Sequence, residues 1–185
     1  MDRIALIDLG TNTFHLLITE INDREQLVEL GKYKEPVKLG EDGMPEGAIT
    51  EAAYTRGMAT LENFKKVVDA AGVTTVLAFA TSAIRSASNG KQFVQEAYER
   101  TGFRVTVING NEEAALIHEG VKNGVKMPKN EAVLLVDIGG GSVEFIVSQN
   151  GEAVLLRSLN IGAARLLEVA HPSDPINTSE NSLVI

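Results

Sequence analysis

The chain reads as an α/β protein built on a mixed sheet, and three observations carry that reading. Three strand-like runs follow one another at the start of the sequence. Helix-period and strand-like segments then alternate, the order that builds a sheet with helices laid on it. An apolar run ending in Asp and a glycine turn occurs twice.

The first strand is expected over Ile4–Leu9, ended by Gly10, and the second over Phe14–Ile21. A third, with a weaker pattern, is expected over Gln26–Leu39, before a Gly/Pro/Asp-rich loop from Gly40 to Gly47. Thr50 then suits a helix N-cap and Gly72 a C-terminal stop. Between them Ala53, Gly57, Leu61, Phe64, Val68 and Ala71 recur at helical spacing. Strand four is placed at Thr75–Ala80, a short helix at about Lys91–Glu99 ending near Gly102, and strand five at Arg104–Ile108. A helix starting after Asn111 ends near Gly124. A strand over Ala132–Asp137 leads into a glycine turn. Val143–Ser148 and Ala153–Leu159 flank Asn150-Gly151, a hairpin signal. A last helix is expected over Ala163–Val169, and the Pro/Ser/Asn/Thr-rich tail from His171 to Ile185 reads as loop.

Composition narrows the function classes. The 185 residues are 44% hydrophobic and 23% charged, as in an ordinary globular protein. There is no apolar run of about 18 residues to span a membrane. The start, Met1-Asp2-Arg3-Ile4, lacks the features of a signal peptide, so a cytoplasmic location is expected. With no cysteine, disulfides, thiolate metal sites and cysteine nucleophiles are excluded. A formal net charge of −8 argues against a general nucleic-acid binder. It does not argue against a phosphate substrate, because backbone N–H groups and a divalent cation hold phosphates without a basic surface.

The repeat is the most informative feature. IALIDLGTNTFHLLI (Ile4–Ile18) and VLLVDIGGGSVEFIV (Val133–Val147) align with Asp8 and Asp137 standing 129 positions apart. Gly10 then matches Gly139, Thr13 matches Ser142, and His15 matches Glu144. Glycines let backbone approach an oxyanion. Successive N–H groups in the turn form an anion nest, and the Asp beside it can bind or orient a hydrated Mg²⁺. Two such hairpins facing each other can clamp a phosphate chain. The bland alternative is two tight turns that use glycine for positive φ and Asp as a turn residue. Finding two matching copies favours the phosphate reading. If each lobe needs the same spacing, the second is incomplete, and the chain is expected to be a fragment. Residues 1–125 would form one lobe and residues 126–185 the opening hairpin and helix of another.

Four ordered blocks, DLGTNTFHLLI (Asp8–Ile18), ATSAIRSASNG (Ala80–Gly90), INGNEEAALIHEG (Ile108–Gly120) and VDIGGGSVEFIV (Val136–Val147), resemble the exopolyphosphatase/guanosine-pentaphosphate phosphohydrolase family. The hairpins resemble the paired phosphate motifs of the wider actin, Hsp70 and sugar-kinase superfamily. The resemblance implies an actin-like ATPase (ribonuclease H-like) lobe, a mixed sheet flanked by helices, plus the start of a second similar lobe. It implies release of terminal orthophosphate from inorganic polyphosphate, or of the 5′-γ-phosphate from guanosine pentaphosphate, usually with Mg²⁺. The partners expected are therefore polyphosphate or guanosine pentaphosphate, no nucleic acid and no membrane. For the full-length protein, a homodimer is expected.

By the same resemblance Glu113 is the catalytic base. Read as residues, Glu113, Leu116, Ile117, Gly120 and Val121 share one helical stripe, while Glu112 and Glu113 can equally complement the helix dipole. Asp8, Asp137 and Glu144 match cleft positions that hold Mg²⁺ directly or through water; Glu144 can also be an outward-facing strand residue. Arg85 can reach a phosphate with a forked pair of hydrogen bonds or make a surface salt bridge. Gly10, Thr11, Asn12, Thr13, Gly139, Gly140, Gly141 and Ser142 form the proposed phosphate cradle. Thr81, Ser82, Asn89 and Gly90 stand near that wall, although Asn89-Gly90 also reads as an ordinary turn. His15, between Phe14 and Leu16, reads as a core or hydrogen-bonded residue. Val143 departs from the family, where many relatives carry Thr, and removes one hydroxyl. Two other readings stay open: a nucleotide-dependent kinase of the superfamily, and a non-catalytic phosphate or alarmone sensor.

Overall fold

The computed structural model of the chain describes residues 2–43, 46–128, 130–170 and 173. The expected loop from His171 to Ile185 lies outside the described residues, Ser173 apart. The chain divides into two compact units, Met1–Val107 and a second that begins at Ile108.

The first unit is a five-stranded sheet in the order β3-β2-β1-β4-β5. Its strands are β1 (Arg3–Leu9), β2 (Phe14–Ile21), β3 (Leu27–Glu35), β4 (Thr75–Ala80) and β5 (Val105–Val107). β1, β2 and β3 pair antiparallel, whereas β1–β4 and β4–β5 are parallel, so the sheet is mixed as expected. Side chains alternate across it. Ala5, Ile7, Leu9, Phe14, Leu16 and Ile18 are buried, while Leu6 and Asp8 point to the other face and are exposed.

The covering helix α1 (Glu51–Ala70) begins where Thr50 accepts a hydrogen bond from the Ala53 amide at 3.4 Å. Its buried side chains, Ala53, Met58, Leu61, Phe64 and Val68, recur at helical spacing and join the sheet residues in one core with Phe93 and Ala97 of α3 (Gly90–Thr101). α3 ends on Gly102 at φ 75°, a left-handed cap that favours glycine. Tyr54 of α1 meets Phe93 edge-on, with ring centroids 4.9 Å apart. Its hydroxyl donates to Glu96 Oε2 at 2.8 Å. Burial, followed by this bond to a carboxylate, pushes the Tyr54 pKa up to about 12.

Two elements differ from expectation. β3 stops at Glu35 rather than running to Leu39. It is an edge strand exposed at nearly every position, so no burial stripe marks its end. The segment Ser82–Ser86 forms a short helix, α2, where the sequence analysis expects none. Thr81 gives it no side-chain cap; it is held by burial of Ser82, Ala83 and Ile84.

The second unit is a three-stranded antiparallel sheet in the order β6-β7-β8, from β6 (Ala132–Ile138), β7 (Val143–Gln149) and β8 (Glu152–Leu159). α4 (Gly110–Gly124) packs on β7 and β8, and α5 (Ala163–Ala170) follows β8. The repeat spacing expects a boundary at residues 125/126; the compact units divide before α4, which packs on this sheet.

The head of α4 is a capping box. Asn109 Oδ1 accepts from the Asn111 and Glu112 amides, both at 3.0 Å, and Glu112 Oε2 accepts from the Asn109 amide at 2.7 Å. The helix therefore starts at Gly110, one residue before Asn111 rather than after it. Its buried residues are Ala114 and His118, whereas Leu116 is exposed. The buried stripe thus sits off the Glu113–Leu116–Gly120 line. His118 supplies the reason: its ring Nε2 lies 2.9 Å from Ser148 Oγ, a satisfied polar contact that outranks an apolar neighbour.

Candidate active site

In the first unit the parallel pairing of β1 with β4 sets Leu9 beside Ala80. The strands therefore end at one edge, and the Thr81 amide donates to Leu9 O at 3.4 Å. The turn Gly10–Thr13 and the start of α2 share that edge, the carboxyl end of the parallel strands, where α/β folds place ligands. Within the turn the Gly10 amide donates to Thr13 O at 3.2 Å. A Cβ on Gly10 would stand 2.8 Å from that oxygen, so the closed turn admits no side chain there. Thr11 is buried, Thr13 half-buried and Asn12 exposed. Asp8 is exposed and lies directly opposite His15. Arg85 is half-buried on α2.

The second unit repeats this geometry, which gives the sequence repeat a physical basis. The Gly139 amide donates to Ser142 O at 3.0 Å, the counterpart of the Gly10–Thr13 bond. Asp137 lies opposite Glu144 as Asp8 lies opposite His15. Gly139 and Gly140 are half-buried, and Gly141 and Ser142 are buried.

The row continues across the sheet, because Glu144 is also opposite Ser158 of β8. Cross-strand partners project from one face. Asp137, Glu144 and Ser158 therefore stand in line. Asp137 is exposed; Glu144 is 1% exposed and its Oε1 accepts from Ser158 Oγ at 2.6 Å. Two carboxylates directly opposite each other destabilise a sheet, and burying one adds desolvation cost. A site that holds a cation or orients a proton would explain that expense.

The same face carries α4. Glu144, Ile146 and Ser148 alternate inward along β7. From Gly110 to His118 the helix rises about 12 Å, and from Glu144 to Ser148 the strand advances about 13 Å. His118 touches Ser148, so the helix head comes level with Glu144. The contact is direct: a Cβ on Gly110 would lie 2.4 Å from Ser158 Cβ and 2.7 Å from Ser158 Oγ. Glu113, half-buried in the first turn of α4, is thus brought to the end of the sheet that carries Asp137, Glu144 and the glycine turn. Glu112 is taken up in the capping box.

Asn89 has a structural role. It holds the Ile49 peptide twice, accepting from its amide at 2.9 Å and donating to its carbonyl at 2.8 Å. The sequence reading missed Gly110 and Ser158. Their partners lie 48 and 14 residues away, at Ser158 and Glu144.

The model of the Ppx/GppA phosphatase family matches residues 17–184. The chain is 34% identical over 170 residues to a bifunctional 3-dehydroquinate synthase/phosphatase from Fusobacterium nucleatum, covering 89% of this chain and 26% of that protein. It is 30% identical over 173 residues to exopolyphosphatase 1 of Mycobacterium bovis, covering 94% of this chain and 50% of that one. The crystal structure of an exopolyphosphatase from Cytophaga hutchinsonii superposes with a TM-score of 0.94 at 40% identity, covering 98% of this chain and 58% of that one. The chain thus spans half or less of the curated relatives' length. The fold is that of the actin-like ATPases, a mixed α/β lobe. Among the described residues no helix is long and apolar enough to cross a membrane.

Proposed function

The chain belongs to the Ppx/GppA phosphatase family, and from that premise we propose that it carries catalytic machinery for releasing terminal orthophosphate from inorganic polyphosphate or the 5′-γ-phosphate from guanosine pentaphosphate. One observation carries the reading: the carboxylate pair Asp137 and Glu144 stands beside a glycine turn, with the head of the Glu113-bearing helix seated on Ser158. A purely structural hairpin has no use for two opposed carboxylates, one of them buried.

In the proposed reaction a water oxygen attacks the terminal phosphorus in line. The new O–P bond forms as the bridging P–O bond breaks, and its electron pair leaves on the bridging oxygen of the shortened chain. Glu113 takes the proton of the water. The turn amides around Gly140–Ser142 spread the charge on the non-bridging oxygens. Positioning and electrostatics supply most of the acceleration in such a loose transition state.

The donor set fits magnesium. Asp137 and Glu144 offer oxygen ligands only, and Asp8 offers the same at the first turn. No group of three or more His, Cys, Asp or Glu forms a metal cluster among the described residues; Mg²⁺ takes one or two carboxylates and completes its shell with water and substrate oxygens. When bound, the ion offsets negative charge on the phosphates.

The test is orthophosphate release by the full-length protein from polyphosphate and from guanosine pentaphosphate, without added nucleotide. Release from either substrate is expected. Turnover only in the presence of ATP would indicate a kinase. Tight binding without release would indicate a sensor. Either outcome would contradict the proposal.

A further inference from the structure

Three consecutive carbonyls of the Gly139–Ser142 turn are taken up by one short segment. Gly139 O accepts from the Ala163 amide at 2.9 Å, and Gly140 O accepts from the Arg165 amide at 3.0 Å. Gly141 O accepts from the side-chain Nε of Arg165, also at 3.0 Å. Just before this segment, Gly162 is buried against the turn. A Cβ there would meet the carbonyl carbon and oxygen of Gly140 and the carbonyl carbon of Gly141, each at 2.5 Å. Only glycine allows that approach.

The consequence follows from peptide planarity. In a trans peptide the N–H of the next residue points opposite to the C=O. Drawing the carbonyls of Gly139, Gly140 and Gly141 towards α5 therefore turns the amides of Gly140, Gly141 and Ser142 away from it. Those are the amides an anion nest requires.

We propose that Arg165, assisted by Gly162, is a positioning residue for the phosphate-binding turn: it fixes the peptide planes so that three successive N–H groups converge on the substrate. Carbonyls of the first turn are taken up by main-chain amides of a neighbouring segment. Thr11 O accepts from the Gly40 amide at 3.2 Å and Asn12 O from the Lys38 amide at 2.8 Å. At the second turn one of the three carbonyls is held by a side chain, that of Arg165, which makes its orientation open to mutation.

The inference rests on the phosphohydrolase reading for its kinetic consequences but not for its geometric ones, and the experiment separates the two. In the full-length protein, Arg165→Ala is compared with wild type and with Arg165→Lys by phosphate release from polyphosphate and by amide hydrogen exchange. Misaimed turn amides weaken both ground-state and transition-state contacts. Arg165→Ala is expected to lower kcat/KM by about 100-fold, the scale for losing one aligned oxyanion donor. Arg165→Lys, which keeps a cationic donor, recovers part of the loss. Exchange is expected to speed up at Gly140–Ser142 while the β6–β7 ladder keeps its protection. If Arg165→Ala fails to fold, Arg165→Gln carries the same comparison. Unchanged turn exchange, or faster exchange spread evenly over the second unit, overturns the inference. If the wild type releases no phosphate, the functional reading fails, and the exchange data alone decide whether Arg165 orients the turn.

Discussion

Replacing Gly110 by Ala tests whether the head of α4 is locked to the acidic row of the sheet. On helix propensity alone the change is favourable by up to about 1 kcal/mol. The structure opposes it, because the new Cβ would sit 2.4 Å from Ser158 Cβ and 2.7 Å from Ser158 Oγ. Ordinary carbon contacts need about 3.5 Å or more, so one partner must move by about 1 Å. If α4 moves, overpacking of this kind costs about 1–3 kcal/mol. If the Ser158 side chain swings, its 2.6 Å bond to Glu144 breaks, and losing a hydrogen bond to a charged group costs about 1.5–3 kcal/mol. Either route outweighs the propensity gain. The expected net destabilisation of about 1–2 kcal/mol corresponds to a fall in Tm of about 2–8 °C for a chain of this size. Displacing Glu113 by about 1 Å should also lower kcat by about 100-fold. Thermal unfolding and phosphate release on the same preparation measure both effects. Adding Ser158→Gly removes the clash but also the Glu144 hydrogen bond, so the double variant should seat α4 normally yet stay less stable than wild type by about 1.5–3 kcal/mol. A Gly110→Ala protein as stable and as active as wild type would refute the reasoning.

Two further predictions concern residues away from the turns. Ser148→Ala leaves the buried His118 ring without its 2.9 Å partner and should cost about 1–3 kcal/mol, read as a lower urea midpoint with an unchanged m-value. Tyr54 has a folded pKa of about 12 against an ordinary tyrosine value of 10.0, so the fold favours its neutral form. That stability is fully present below pH 10 and is lost as pH rises from 10 towards 12. Tyr54→Phe should flatten the fall of Tm across that window; an identical pH dependence in the two proteins would exclude Tyr54 as its source.

Much of this architecture was legible because local signals agreed with packing. Thr50 and the Ala53-to-Val68 spacing mark α1, and the Asn150-Gly151 turn marks the β7–β8 hairpin. The Asp–Gly repeat was legible because both copies use the same register and the same turn hydrogen bond. Misreadings arose where a distant partner decided the matter. Both Asn109 and Asn111 are plausible caps, and only the reach of Glu112 back to Asn109 chooses between them. The burial of His118 goes with Ser148, 30 residues on, which meets its ring inside. α2 has no side-chain cap and is shaped by burial. Gly110 and Gly162 look like loop glycines, yet each is fixed by the atoms of another segment pressed against it.

The central claim is that Glu113, seated beside the acidic row, activates the water that attacks phosphate. Its most direct test is single-turnover phosphate release by Glu113→Gln in the full-length protein, with substrate affinity measured in parallel. The amide keeps size and hydrogen bonding but cannot accept the proton, so turnover should fall by about 100-fold or more while the Kd for polyphosphate stays within a few-fold. Near-normal release by Glu113→Gln would contradict the account.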